Sequence, residues 1–234
     1  MRPTRAAWLF VAGIAWLVLR GILAGSIPTL QPERVAASGG LWLLVPLLSV
    51  VASLTIPLFF ISFLRRHDFA EQPWLLAATR FAVAASTASF LLVTVSYVGL
   101  LGGTGSAVAG RADVAPWLIQ VVPMALVLSL IAFLLTFARQ SPSPPGLRRA
   151  ATVAAAGAVV PALLMAVWMV HARAPESVSW WPEVASSLPA RLVGLAGAAA
   201  LVWFLESFAT SYPDGRGTRG RCDLMASSRV ESGG

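Results

Sequence analysis

LWLLVPLLSVVASLTIPLFFISFL, Leu41 to Leu64, is a run of 24 residues without one Asp, Glu, Lys or Arg. As an α-helix rising ~1.5 Å per residue it reaches ~36 Å, enough to cross the ~30 Å hydrocarbon core of a bilayer unaided. Three more stretches share the property: Phe81 to Gly103, Val114 to Ala138 and Ala150 to Val170 are each charge-free for 20 residues or more. Four such runs in one chain predict an all-α, polytopic helical membrane bundle.

Composition points the same way. The AVILMFWYC set is 57% of the 234 residues and DEKR only 12%, with a mean hydropathy of +0.77. Soluble domains hold about 25% charged residues. A disordered chain, a nucleic-acid-binding domain and most soluble enzymes are therefore excluded. The formal charge is +7, and all 17 basic residues are Arg. On a membrane protein such an excess marks cytoplasmic loops rather than nucleic acid. Exclusive use of Arg beside abundant Ala and Gly fits a GC-rich, bacterial coding bias. The single Cys222 excludes an internal disulfide and thiol-relay chemistry.

Two weaker segments complete the set. Ala6 to Leu19 is apolar, meets Arg20 and continues to Gly25; Leu192 to Leu205 is apolar and then meets Glu206. Each apolar run alone covers only ~21 Å as a helix, so a span there takes its charge into the membrane. The resulting expectation is a domain over 1–210 with six transmembrane helices at about 7–26, 41–64, 74–103, 114–138, 150–171 and 191–210, followed by a disordered cytoplasmic tail over 211–234. The first span is expected to stay uncleaved, because Arg20 interrupts it and no small-residue cleavage site follows.

Orientation follows from the arginines. With six spans and the N-terminus inside, Arg2, Arg5, Arg65, Arg66, Arg80, Arg139, Arg148, Arg149, Arg216, Arg219, Arg221 and Arg229 face the cytoplasm, and Arg34, Arg111, Arg173 and Arg191 face out. That split predicts N-in/C-in in a plasma (inner) membrane. The tryptophans agree: Trp8 and Trp74 fall near the inner interface, and Trp42, Trp117, Trp168, Trp180 and Trp181 near the outer one.

Candidate site residues are few. Arg20 and Glu206 are the intramembrane charges, and their positions along the assumed spans put them ~13 Å apart in depth. They either snorkel to opposite interfaces or mark a buried ionic site or solute path. In the third span Ser86, Thr87, Thr94 and Tyr97 fall within an arc of ~100° and form a candidate polar face. Hydroxyls in such positions also bond their own helix carbonyls or join helices. Small residues at four-residue spacing, Ala150, Ala154 and Ala158 in span five and Ala190, Gly194 and Ala198 in span six, predict close packing of that pair. Pro46, Pro57, Pro123 and Pro161 lie inside spans and are expected to bend them. Pro73 suits a helix start, and SPSPPGLRR after Gln140 reads as a breaker.

Catalytic, metal and cofactor constellations are not found. His67 and His171 fall on opposite sides of the membrane, with no i, i+4 histidine pair and no acidic cluster. The glycine-rich Gly102 to Gly110 follows a membrane helix and has no Lys, so it is not a phosphate loop. No cofactor and no metal is expected, and the pattern leans away from an enzyme. The expected partners are the lipid bilayer and a second copy or another membrane protein, with no nucleic acid. A non-catalytic membrane subunit or assembly factor heads the functional readings, a small-solute transporter or channel component is the alternative, and a membrane-embedded enzyme comes third.

Overall fold

The computed structural model describes residues 2–26, 44–101, 115–171 and 188–211, and among them the only regular elements are six helices. They are α1 (Pro3–Ser26), α2 (Leu44–Arg66), α3 (Pro73–Leu101), α4 (Ala115–Gln140), α5 (Pro145–His171) and α6 (Leu188–Ser211). Five of them, α2 to α6, are long and apolar enough to cross a membrane. The remaining helix, α1, has 24 residues and holds Arg5 and Arg20 within it. The tail beyond Ser211, the Gly102 to Gly110 stretch and the connection around Trp180-Trp181 lie outside the described residues.

Proline sets the helix starts. Pro3, Pro73 and Pro145 are the first residues of α1, α3 and α5, where a fixed φ suits the helix and the missing N–H is not needed. Pro46 is the third residue of α2. It was expected to bend its span, but in the first turn it has no intrahelical bond to break. Pro57, Pro123 and Pro161 are the interior prolines. The segment read as a breaker is shorter than expected: α5 opens at Pro145, so Gly146, Leu147, Arg148 and Arg149 are already helical.

Each helix packs on its chain neighbours, and α1 packs on α6, so the six close into a ring. The end where α1 begins and α6 finishes, the proximal end, holds the large side chains. Phe10 of α1, Phe59, Phe60 and Phe63 of α2, Phe133 and Phe137 of α4, and Phe204 and Phe208 of α6 are all buried in one cluster. Their rings touch across the ring's interior: Phe59 meets Phe133 edge-on at 6.3 Å and Phe208 at 5.6 Å, while Phe137 meets Phe204 at 5.5 Å. Edge-to-face geometry at these separations is favourable for aromatic pairs. The proximal half of the ring is thus filled by a plug of phenylalanines.

Beyond the plug the buried residues are small or hydroxylated. Ala52, Ser49, Ser53, Thr55, Ser86, Ser129 and Ala162 are buried there, and helices come together through glycine. A Cβ on Gly197 of α6 would lie 2.8 Å from the Gly157 carbonyl oxygen of α5, and one on Gly157 would lie 3.0 Å from the Gly197 Cα. The sequence supplies the reason. Pro161, four residues after Gly157, has no N–H to give that carbonyl, and the Gly197 backbone occupies the vacated approach, where a Cα–H···O contact can form. Close packing of this pair was expected, but through other residues. Gly194 has nothing within 4 Å of an added Cβ, although Ala150 and Ala154 are buried. Gly13 of α1 likewise packs directly on Thr55 and on the Ala52 carbonyl of α2.

Candidate functional site

Of the two charges singled out inside apolar runs, Arg20 is the one with a side-chain partner on another helix among the described residues. It stands four residues after Trp16 on α1, so the two side chains share a face. Both reach Ser49 of α2: Trp16 Nε1 donates to its hydroxyl oxygen at 3.3 Å and Arg20 Nη1 at 3.4 Å. Ser49 is 1% exposed. A buried hydroxyl has two acceptor lone pairs, so it can accept both donors. Gly13, one turn below Trp16, lets α1 lie close enough to α2 for these contacts. The cluster therefore results from a glycine crossing followed by two donors at i+3 and i+7.

Glu206 lies elsewhere. It is exposed on α6 between the buried Phe204 and Phe208, at the level of the plug that also contains Phe10. Arg20 is ten residues beyond Phe10 on α1, ~15 Å further along the helix axis. The two sequence-selected charges are thus not brought together.

Two of the candidate hydroxyls of α3 bond carbonyls of their own helix. Ser86 Oγ donates to the Ala82 carbonyl at 2.6 Å and approaches that of Val83 at 3.1 Å, and Thr94 Oγ1 donates to the Phe90 carbonyl at 2.8 Å. Thr87 is half-buried, and the side chain of Tyr97 lies outside the described residues. The pattern repeats at Thr55, Ser62, Thr79, Ser129 and Thr136, each bonded to a carbonyl three or four residues back. In a hydrocarbon setting such bonds satisfy the hydroxyl without a second helix or water. Among the described residues no buried side-chain nitrogen or oxygen lacks a hydrogen-bond partner.

The proximal loops form a second polar layer. His67 Nε2 lies 3.0 Å from Gln72 Oε1, and its ring stacks on Phe63 of the plug at 4.6 Å and meets Phe69 edge-on at 4.8 Å. Gln140, the last residue of α4, accepts the Leu75 backbone N–H of α3 through Oε1 at 3.1 Å, capping a helix start from another helix. Ser141 and Ser143 share a short hydroxyl contact, and Arg148 Nε donates to the Ser143 carbonyl at 3.0 Å. Around this end Arg2, Arg5, Arg65, Arg66, Arg80, Arg139, Arg148 and Arg149 are all exposed. A groove of about 370 Å³ between α3 and α4 is lined by Trp74, Thr136, Arg139 and Gln140.

Sequence reasoning missed Ser49, Gln140 and the plug. Ser49 looked like any membrane serine, and only the Gly13 contact selects it. Gln140 was hidden at the edge of a breaker cluster. The plug did leave a signal, since Phe59, Phe60 and Phe63 share one turn, as do Phe133 and Phe137, and Phe204 and Phe208. No group of three or more metal-ligating side chains occurs among the described residues. No protein-family model, curated protein or solved structure matches the chain.

Proposed function

We propose that this chain is a bacterial plasma-membrane protein that crosses the bilayer six times with both termini in the cytoplasm, and that it serves as a non-catalytic membrane subunit or assembly factor acting through helix packing. The aromatic plug carries the reading. It fills the proximal half of the ring with hydrocarbon side chains, which offer no stepping-stone to an ion or polar solute crossing it. Two of the hydroxyls on the candidate polar face, Ser86 and Thr94, bond carbonyls of their own helix. The orientation rests on charge: at the proximal end eight described arginines are exposed, against exposed Asp68, Glu71 and Glu206. The outward faces of the helices carry Leu91, Val95, Leu128, Leu163 and Leu192, which suit lipid or a neighbouring span.

The test is photo-crosslinking in native membranes from Leu91, Leu128 and Leu163, combined with flux measurements on the purified chain in liposomes. The expected result is a protein adduct of one defined mass and liposomes tight to protons and small solutes. Lipid-only adducts together with solute flux would overturn the reading. The small-solute transporter stays as a second reading because of the Trp16–Arg20–Ser49 cluster, which places a cation beyond the plug. Saturable uptake lost in Arg20→Gln would favour it.

A further inference from the structure

The geometry points to the groove between α3 and α4 at the proximal end as a binding site for an anionic phospholipid. The inference rests on the membrane placement and orientation proposed above, and not on the subunit role.

Two donor side chains meet on its rim. Arg139 is exposed in the last turn of α4, and its guanidinium has no acceptor among the described residues. Gln140 spends Oε1 on the Leu75 N–H, which leaves its amide N–H donors for another acceptor. The start of α3 stands beside them. Its first turn contains no acidic residue, the Leu75 and Leu76 N–H groups are taken by Gln140 and by the Gln72 carbonyl, and the positive end of the helix dipole remains. A phosphodiester satisfies such a set: it is anionic, has several acceptor oxygens and suits the planar fork of arginine.

The rest of the groove specifies a lipid rather than a free anion. Trp74 is 70% exposed at the groove's edge, an amphipathic ring at the headgroup level. Phe81 follows it by seven residues on the same side of α3 and is 47% exposed. On α4, Thr136 gives its hydroxyl to the Ala132 carbonyl, so the groove sees chiefly its methyl group. A headgroup at the rim and an acyl chain laid past Trp74 and Phe81 match this order from polar to apolar. Basic pockets between membrane helices on the cytoplasmic side are suited to anionic headgroups. The Gln140–Leu75 bond holds the two walls together.

The experiment is native mass spectrometry of the full-length chain released from detergent, with dioleoyl-phosphatidylglycerol and dioleoyl-phosphatidylcholine at equal concentration. The wild type should retain the anionic lipid ~5-fold over the zwitterionic one, the ratio expected for one arginine at the headgroup. Arg139→Gln should bring the ratio near one. Arg149→Gln, equally exposed but outside the groove, should keep it, and Trp74→Ala should lower retention of both lipids. Equal retention of the two lipids by the wild type, or the same loss in Arg149→Gln as in Arg139→Gln, overturns the proposal. Displacement of the lipid by millimolar inorganic phosphate would also overturn it, by making the site one for free anions. Maleimide labelling of Cys222 in intact and permeabilised cells reports the orientation separately. Labelling in intact cells would reject the cytoplasmic placement, whatever the lipid ratio.

Discussion

The two halves of the ring are held together by opposite means. The proximal half uses bulk: eight buried phenylalanines from α1, α2, α4 and α6 meet in its interior. The distal half uses absence of bulk: Gly13 against Thr55, and Gly157 against Gly197, bring backbones together. Large side chains fill a wide space between helix axes, whereas glycines let the axes approach. In a bilayer neither half gains from escaping water, because lipid tails are as apolar as the core. What stabilises each half is contact, and the two kinds of contact should fail differently.

The largest effect is expected in the plug. Phe59 touches Phe10, Phe60, Phe63, Phe133 and Phe208, so Phe59→Ala removes five ring contacts and leaves a void. The loss should be about 3 kcal/mol, at the low edge of the range for buried aromatic truncations because the transfer part is small in lipid. Unfolding of the purified protein in detergent mixtures measures it. Next comes the glycine crossing. Gly197→Ala would push a methyl group onto the Gly157 carbonyl, which is backbone and cannot rotate away, so a cost of about 2 kcal/mol is expected. Gly194→Ala is the contrast, since it meets nothing within 4 Å. It should be neutral or stabilise by up to ~1 kcal/mol through helix propensity. Equal costs for the two alanines would break the comparison.

Smaller effects separate the polar layers. Gln140→Ala removes the acceptor on the Leu75 N–H and should cost about 1 kcal/mol, with hydrogen exchange at the start of α3 rising. The smallest effect belongs to the two selected charges. Glu206→Gln should change stability by less than ~0.5 kcal/mol, as for an exposed residue outside special contacts. Its coupling to Arg20→Gln in a double-mutant cycle should also stay below ~0.5 kcal/mol, because ~15 Å of helix separates the groups.

The helices were legible because each carries its own signal. A charge-free run of membrane length specifies a helix wherever it lies, and α2 is within a few residues of the stretch Leu41 to Leu64. The starts at Pro73 and Pro145 follow from what proline does to the first turn; the second was obscured by the neighbouring Ser and Pro residues. Partnerships were less legible. Four-residue spacing selected Gly194, but which of two neighbouring glycines meets the next helix depends on rotation about the axis, and 3.6-residue periodicity fixes that only when one face is polar. Helices that are apolar all round give no such reference. Arg20 could be singled out from the sequence because a charge in an apolar run is conspicuous, whereas its partner Ser49 is one of several membrane serines.

The central claim is that the proximal half of the ring is closed to water. Phe133→Cys in a Cys222→Ser background tests it, using a charged, membrane-impermeant methanethiosulfonate applied from each side of oriented vesicles. Phe133 is fully buried and meets Phe59, Phe60 and Phe63. The account predicts no modification from either side until the protein is unfolded. Modification of the folded protein from either face would show that water reaches the plug, and would contradict it.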